Sequence, residues 1–197
     1  SPMSRGLGDV YKRQAAIIAT AAAPPDAEMP PNVVIILIDD MGWADAGCCG
    51  SRYYETPHMD RLAREGMRFT DGYAACAVCS PSRAALLTGR WPTRIGITDW
   101  IRPLDGTEWT EDGIREQTEY APAGDRALAT PRNPRWMEHD EVTIAEALEP
   151  LGYATGFIGK WHLGPEGWWP EDQGFDDNVG GCSFGHPPHY FLSLIHI

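Results

Sequence analysis

The 197-residue sequence predicts an α/β fold, because patterns typical of strands and helices alternate along it. Residues 32–38 begin with Asn32 and continue as six apolar, mostly β-branched residues, a pattern typical of a strand buried on both faces. Residues 56–66 show a helix pattern that starts at Thr-Pro and ends at Gly. Residues 67–73 favour a second strand, and residues 79–89 a second helix. This order predicts a sheet packed against helices.

The second half of the chain repeats this alternation. Residues 143–148 begin a capped amphipathic helix that ends near Gly152, and residues 153–159 favour a strand. Between the halves, residues 100–135 are rich in proline, glycine and acidic side chains. A long segment of this kind is either functional or a solvated acidic surface.

The composition restricts the class of partner. The chain has 16 Lys and Arg against 28 Asp and Glu, so its formal net charge is −12. We therefore expect no nucleic-acid partner, since such proteins usually present a basic surface. The five cysteines are an odd number, so at least one is unpaired within the chain.

Two acidic residues, Asp39 and Asp40, follow the first predicted strand directly. In open α/β sheets, ligands bind beyond the carboxyl ends of the strands. Adjacent carboxylates repel each other, and a hard divalent cation with oxygen ligands is their natural partner. A solvated Asp pair that opens a loop explains the same spacing, so both interpretations stay open on spacing alone.

The second predicted helix begins with an unusual set of side chains. Cys79 stands at its start, Ser80 is a suitable N-cap, Pro81 fits the first turn, and Gly89 fits the C-cap. The N-terminal end of a helix collects unpaired backbone N–H groups and a positive dipole, which favour an anion. Arg83 adds a forked positive charge one turn further on.

Three segments, in order, resemble the type I sulfatases of the alkaline phosphatase superfamily. Residues 79–90 resemble the signature C-x-P-S-R followed by x-x-L-L-T-G-R. Residues 159–164, G-K-W-H-L-G, resemble the second signature, and residues 32–42 resemble the block that opens the domain. The resemblance covers about residues 32–191 and is nearest to arylsulfatases and N-acetylgalactosamine-6-sulfatases.

The resemblance implies a mixed central sheet sandwiched by helices, here truncated, and hydrolysis of a sulfate ester of a small molecule or glycan. It implies calcium bound by Asp39, Asp40 and residue 79. It also implies that Cys79 is converted to formylglycine by a formylglycine-generating enzyme, and that the hydrate of this aldehyde attacks sulfur.

The resemblance also implies roles for three further residues beside Cys79. Arg83 and Lys160 would hold the aldehyde hydrate and the sulfate oxygens, and His162 would act as an acid–base group. The family adds metal ligands, a histidine and a lysine from further downstream, and these have no counterpart here. We therefore expect the 197-residue chain to be inactive towards an aryl sulfate.

Other functions fit parts of the pattern. A phosphodiesterase or phosphonate hydrolase of the same superfamily can share this fold and sometimes the formylglycine. A non-catalytic relative that binds sulfated glycans is a second alternative. Cys76 and Cys79 also form a C-x-x-C pair, which is typical of thioredoxin-like redox sites.

The ends of the chain differ from the rest. Residues 1–14 and 193–197 resemble translated adapter sequence, so we exclude both from the fold. Residues 15–28 resemble the remnant of a signal peptide, with an apolar run too short to span a bilayer. We expect residues 29–192 to be the N-terminal part of a sulfatase catalytic domain, in a periplasmic or secreted protein without a membrane span.

Overall fold

The computed structural model describes residues 30–101, 120–121, 130–131 and 133–186. The described residues divide into two units, with the boundary between residues 74 and 75. The expectations for residues 1–28 and 193–197 lie outside the described residues, and the predicted domain limits stay predictions. Within the described ranges, no helix combines the length and apolar character that crossing a membrane requires.

The first unit is organised around helix α1, Pro57–Glu65, and the 3₁₀ turn Gly47–Cys49 that precedes it. Thr56 stands at the N-cap position as predicted, but its hydroxyl does not cap the helix. It accepts the Gly47 N–H at 2.8 Å and donates to Asp60 at 3.0 Å. Asp60 also accepts the Cys48 N–H at 2.6 Å. This Thr56–Asp60 pair therefore holds the 3₁₀ turn against α1.

The two strands predicted in this unit are not observed. Residues 32–38 have no strand hydrogen bonding and are exposed, with Val34 82% and Ile36 78% accessible. Residues 67–73 likewise form no strand. A strand requires a hydrogen-bonded neighbour, and no strand among the described residues pairs with either run. The prediction of a buried strand at residues 32–38 and of a strand at residues 67–73 is therefore wrong here.

The second unit contains three helices among its described residues: α2, Cys79–Thr88; α3, Pro92–Ile95; and α4, Ile144–Leu148. α2 ends at Gly89 with φ 66°, the left-handed conformation expected of a C-cap glycine. α4 begins with a capping box, in which the Thr143 hydroxyl accepts the Glu146 N–H and the Glu146 carboxylate accepts the Thr143 N–H. Both predicted helices are thereby confirmed.

The strands of this unit are short. They are β1, Tyr120–Ala121; β2, Thr130–Pro131; β3, Gly156–Ile158; and β4, Asp177–Val179. β1 and β2 pair antiparallel, whereas β3 and β4 pair parallel with Phe157 opposite Asn178. The 3₁₀ turn Pro170–Gln173 leads towards β4. β4 was not predicted, because Asp-Asn-Val has no apolar pattern of its own.

The core of the second unit lies directly behind the segment that follows β3. Trp161 and Leu163 are fully buried in it, on either side of His162. Trp161 contacts Phe157 and Phe175 edge to face. The other fully or almost fully buried apolar side chains of the cluster are Ala84, Ile97, Ile101 and Met137. The core therefore anchors the backbone that carries Lys160 and His162.

Candidate active site

The structure brings together the side chains of Cys79 and His162, and it joins the Arg83 side chain to the backbone of Lys160. α2 presents Cys79 as its first residue, after Val78 in an extended N-cap conformation. The turn after β3 carries Lys160 and His162 to the same place. The Cys79 Sγ lies 3.3 Å from the His162 Nδ1, and the Arg83 guanidinium donates to the Lys160 carbonyl.

The orientation of His162 follows from its hydrogen bonds. Its Nε2 lies 2.8 Å from the Ile101 carbonyl oxygen, which can only accept. Nε2 therefore carries the hydrogen, and in the neutral ring Nδ1 is left as an acceptor towards Cys79. His162 is only 3% exposed and has φ 60°, a left-handed conformation that few non-glycine residues adopt. Its backbone N–H donates to the Cys182 carbonyl at 3.1 Å.

Ser80 does not cap α2, contrary to the prediction. It lies within the helix and is fully buried. Its hydroxyl donates to the His162 carbonyl at 2.9 Å and accepts the Ile101 N–H at 3.0 Å. The hydroxyl is used in this way because the helix places it against two backbone segments distant in sequence, rather than against its own first turn.

Positive charge is built into this site. Arg83 lies one turn after Cys79 and is almost completely buried, although it is always charged. It points one arm of its guanidinium at the Lys160 carbonyl, so its position is fixed by the backbone of the opposite segment. The N-terminal end of α2 adds the positive end of its dipole. The arrangement is suited to an anionic group near Cys79.

Gly185 leaves no space for a side chain beside His162. A Cβ at this position would lie 2.5 Å from Cε1 and 2.9 Å from Nε2 of the ring. We expect Gly185→Ala to displace the ring, weaken its bond to Ile101 and lower the free energy of unfolding by about 1–3 kcal/mol. Gly156→Ala is the matched control, since its Cβ would meet nothing closer than 4.0 Å. Equal urea midpoints for the two variants would contradict this expectation.

The predicted metal ligands Asp39 and Asp40 belong to the first unit. Both are exposed, and Asp40 adopts a left-handed φ of 57°. Their carboxylates are the hard oxygen donors that calcium prefers, so both side chains are chemically suitable calcium ligands. Calcium takes about six to eight oxygens, however. Among the described side chains, no group of three or more His, Cys, Asp or Glu could hold a metal ion. The pair therefore supplies only part of a coordination shell.

All five cysteines are free thiols. The C-x-x-C pair forms no disulfide, and the backbone of Cys76 is held by the Ser82 hydroxyl, which donates to its carbonyl at 2.7 Å. In the first unit, desolvation raises the pKa of Cys48 above its ordinary 9.0, and the neighbouring Cys49 and Asp60 add to the rise. Cys48 is therefore protonated at neutral pH and a poor nucleophile.

Several residues around His162 were missed by the sequence analysis. The Asn133 side chain accepts the N–H groups of Thr98 and Asp99 and donates to the Asp99 carbonyl at 2.7 Å. It thereby fixes the segment whose Ile101 carbonyl holds His162. The Trp100 ring lies 6.2 Å from the His162 ring, measured between centroids. No local pattern could have identified these residues, because the contacts join distant segments and several run through the backbone.

Comparison with known proteins shows that the chain is similar to sulfatases. The model of the Sulfatase family matches residues 31–191. The chain is 38% identical to human arylsulfatase A over 167 residues, which are 83% of the chain and 28% of that protein. It is 41% identical to N-acetylgalactosamine-6-sulfatase of Sus scrofa over 163 residues, covering 81% of the chain and 27% of that protein.

A solved structure is similar as well. The crystal structure of Ps i-CgsB matches with a TM-score of 0.51 and 34% identity, over 71% of this chain and 25% of that one. This likeness confirms the α/β fold class. The chain spans about a quarter of the length of the curated relatives it matches. Because a single family model matches most of the sequence, the chain belongs to the Sulfatase family.

Proposed function

We propose that the protein hydrolyses sulfate esters and that residue 79 carries the nucleophile. The observation that carries this proposal is the position of Cys79. It stands at the start of α2, 3.3 Å from a buried histidine nitrogen and one turn before the almost completely buried Arg83. Membership of the Sulfatase family supports the same reaction.

The chemistry at residue 79 requires the family's modification, in which a formylglycine-generating enzyme converts Cys79 to an aldehyde. The hydrated aldehyde would supply the hydroxyl that attacks sulfur. The side chains of this unit perform the remaining functions. Nδ1 of His162 is placed to exchange a proton at residue 79, since Nε2 is already committed to Ile101. Arg83 and Lys160 stabilise the negative charge of the sulfate group.

We propose Asp39 and Asp40 as the calcium ligands that this chain provides, together with residue 79. Calcium, when bound, polarises a sulfate oxygen as a Lewis acid. The support for this assignment is that Asp39 and Asp40 are neighbours in sequence, are both exposed and carry the carboxylate oxygens that calcium prefers. The two carboxylates would hold the ion, and Arg83 would supply a further positive charge.

The substrate we propose is a sulfated glycan or a small sulfate ester. Ps i-CgsB, 33% identical in a second structure with a TM-score of 0.51, is described in complex with k-i-k-neocarrahexaose. That likeness supports a saccharide. We further propose that the protein is periplasmic or secreted, on the strength of the apolar segment at residues 15–23.

Mass spectrometry of residue 79 tests whether Cys79 is converted to the proposed aldehyde. After co-expression with a formylglycine-generating enzyme, we expect the tryptic peptide of residues 69–83 to carry an aldehyde at Cys79. Cys76→Ala, in the same peptide, is the matched control and should leave conversion unchanged. An unmodified Cys79 thiol, under conditions where a known sulfatase is converted, would refute the proposed nucleophile and favour the C-x-x-C redox alternative.

A second experiment compares esters on a form that spans the full length of the relatives and carries the aldehyde. We expect calcium-dependent turnover of an aryl sulfate that exceeds turnover of the matching phosphate diester. Faster turnover of the phosphate or phosphonate ester would instead assign the protein to the phosphodiesterase alternative. Binding of a sulfated glycan without any turnover would favour the non-catalytic one.

A further inference from the structure

A closed set of hydrogen bonds surrounds His162. The Ser80 hydroxyl donates to the His162 carbonyl at 2.9 Å and accepts the Ile101 N–H at 3.0 Å. His162 Nε2 in turn donates to the Ile101 carbonyl at 2.8 Å. Ser80 is fully buried, and Ile101 and His162 are almost so. One hydroxyl therefore joins the backbone of the histidine to the backbone that receives the histidine ring.

The geometry of His162 makes this connection important. Its left-handed φ of 60° is unfavourable for a side chain with a Cβ and must be maintained by its surroundings. Ser80 holds the carbonyl side of this residue. It also fixes Ile101, whose carbonyl determines which ring nitrogen carries the hydrogen. Cys79 and Ser80 are consecutive in α2, so the thiol that faces the His162 ring and the hydroxyl that holds the His162 backbone belong to the same helical turn.

We propose that Ser80 is a positioning residue for His162. Its hydroxyl keeps the Ile101 carbonyl on Nε2 and thereby leaves Nδ1 directed at residue 79 as an acceptor. The role of this positioning in catalysis rests on the proposed function. The hydrogen bonds themselves are present in the chain without substrate, aldehyde or calcium. Loss of the hydroxyl frees both His162 and Ile101 to shift, so Nε2 loses its fixed acceptor and the ring is no longer restricted to one tautomer.

The experiment is long-range ¹H–¹⁵N correlation NMR of the histidine side chains in the 197-residue chain, without substrate, aldehyde or calcium. In the wild type we expect His162 to be the Nε2–H tautomer. In Ser80→Ala we expect the Nδ1–H population to rise by at least about fivefold, the factor that corresponds to losing one hydrogen bond of ~1 kcal/mol. Ser80→Thr, which retains the hydroxyl, should restore the wild-type signal.

Ser82→Ala is the matched control. The Ser82 hydroxyl also makes one donated and one accepted backbone hydrogen bond, but both are to Cys76. It should leave the His162 tautomer unchanged. If Ser80→Ala loses its dispersed amide spectrum, Ser80→Cys, which has nearly the same volume and a weak donor, is judged by the same criterion.

Three results would overturn the proposal. One is a wild-type His162 with the tautomer mixture of an unstructured histidine. Another is an unchanged tautomer in a folded Ser80→Ala or Ser80→Cys variant. The third is an equal change in Ser82→Ala. Failure of sulfate ester hydrolysis would leave the tautomer measurement unaffected, so the two proposals fail separately.

Discussion

Trp161→Ala should destabilise the second unit by about 3–5 kcal/mol, the cost typical of removing a large buried aromatic side chain. Trp161 is fully buried, and its ring packs edge to face against Phe157 and Phe175, with centroids 5.1 and 6.2 Å away. Its indole N–H donates to the Trp168 carbonyl at 2.7 Å, and the truncation would leave that carbonyl without this donor. Such a loss is a large share of the stability of an ordinary domain, ~5–15 kcal/mol.

Urea unfolding followed by circular dichroism measures this effect. Trp91→Ala is the matched control, because Trp91 is 68% exposed and its removal should change the free energy of unfolding by less than about 0.5 kcal/mol. A Trp161→Ala midpoint equal to that of Trp91→Ala would show that residue 161 is not in the core. The neighbours of Trp161 in the G-K-W-H-L-G segment depend on its packing.

Arg83→Lys should lower kcat for a sulfate ester by about 10²–10³-fold, as expected when a preorganised donor to a developing anion is removed. The change retains the positive charge, so the loss tests the forked geometry of the guanidinium. One arm of Arg83 donates to the Lys160 carbonyl, and a lysine ammonium has no second arm to direct at the substrate. The assay requires the aldehyde-bearing form that spans the length of the relatives.

Two controls make the Arg83 result interpretable. Arg83 belongs to the segment that the formylglycine-generating enzyme is expected to recognise, so kcat must be expressed per mole of aldehyde measured by mass spectrometry. Arg90→Lys is the matched variant, since Arg90 follows the same helix but forms an ion pair with Glu141. Its kcat should stay within about twofold of the wild type, because lysine keeps the positive charge beside the largely buried Glu141. Equal losses in both variants would show that neither arginine has a specific role.

The helices were predictable because their signals are local. In α1 the proline comes first and the glycine directly after the end, and both limits agree with the sequence pattern. The capping box of α4 is likewise contained within four residues. The end of α2 at Gly89 follows from the ability of glycine to adopt a left-handed φ.

The strands were less predictable because pairing is not local. Residues 32–38 have the composition of a buried strand but no partner among the described residues, whereas β4 has no strand-like composition and pairs with β3. The candidate active site shows the same contrast between local signals and contacts distant in sequence. The motifs identified Cys79 and His162, but the function of Ser80 depends on Ile101, which lies 21 residues away.

The exposed run at residues 32–38 has a consequence for handling the chain. Within it, six consecutive apolar, largely β-branched and exposed residues without a strand partner are a template on which another copy can add a strand. Association of this kind is at least second order in protein, whereas folding of the chain is first order. The yield of monomer should therefore fall as the refolding concentration rises, and a charge introduced at Val34 or Ile36 should shift that balance towards the monomer.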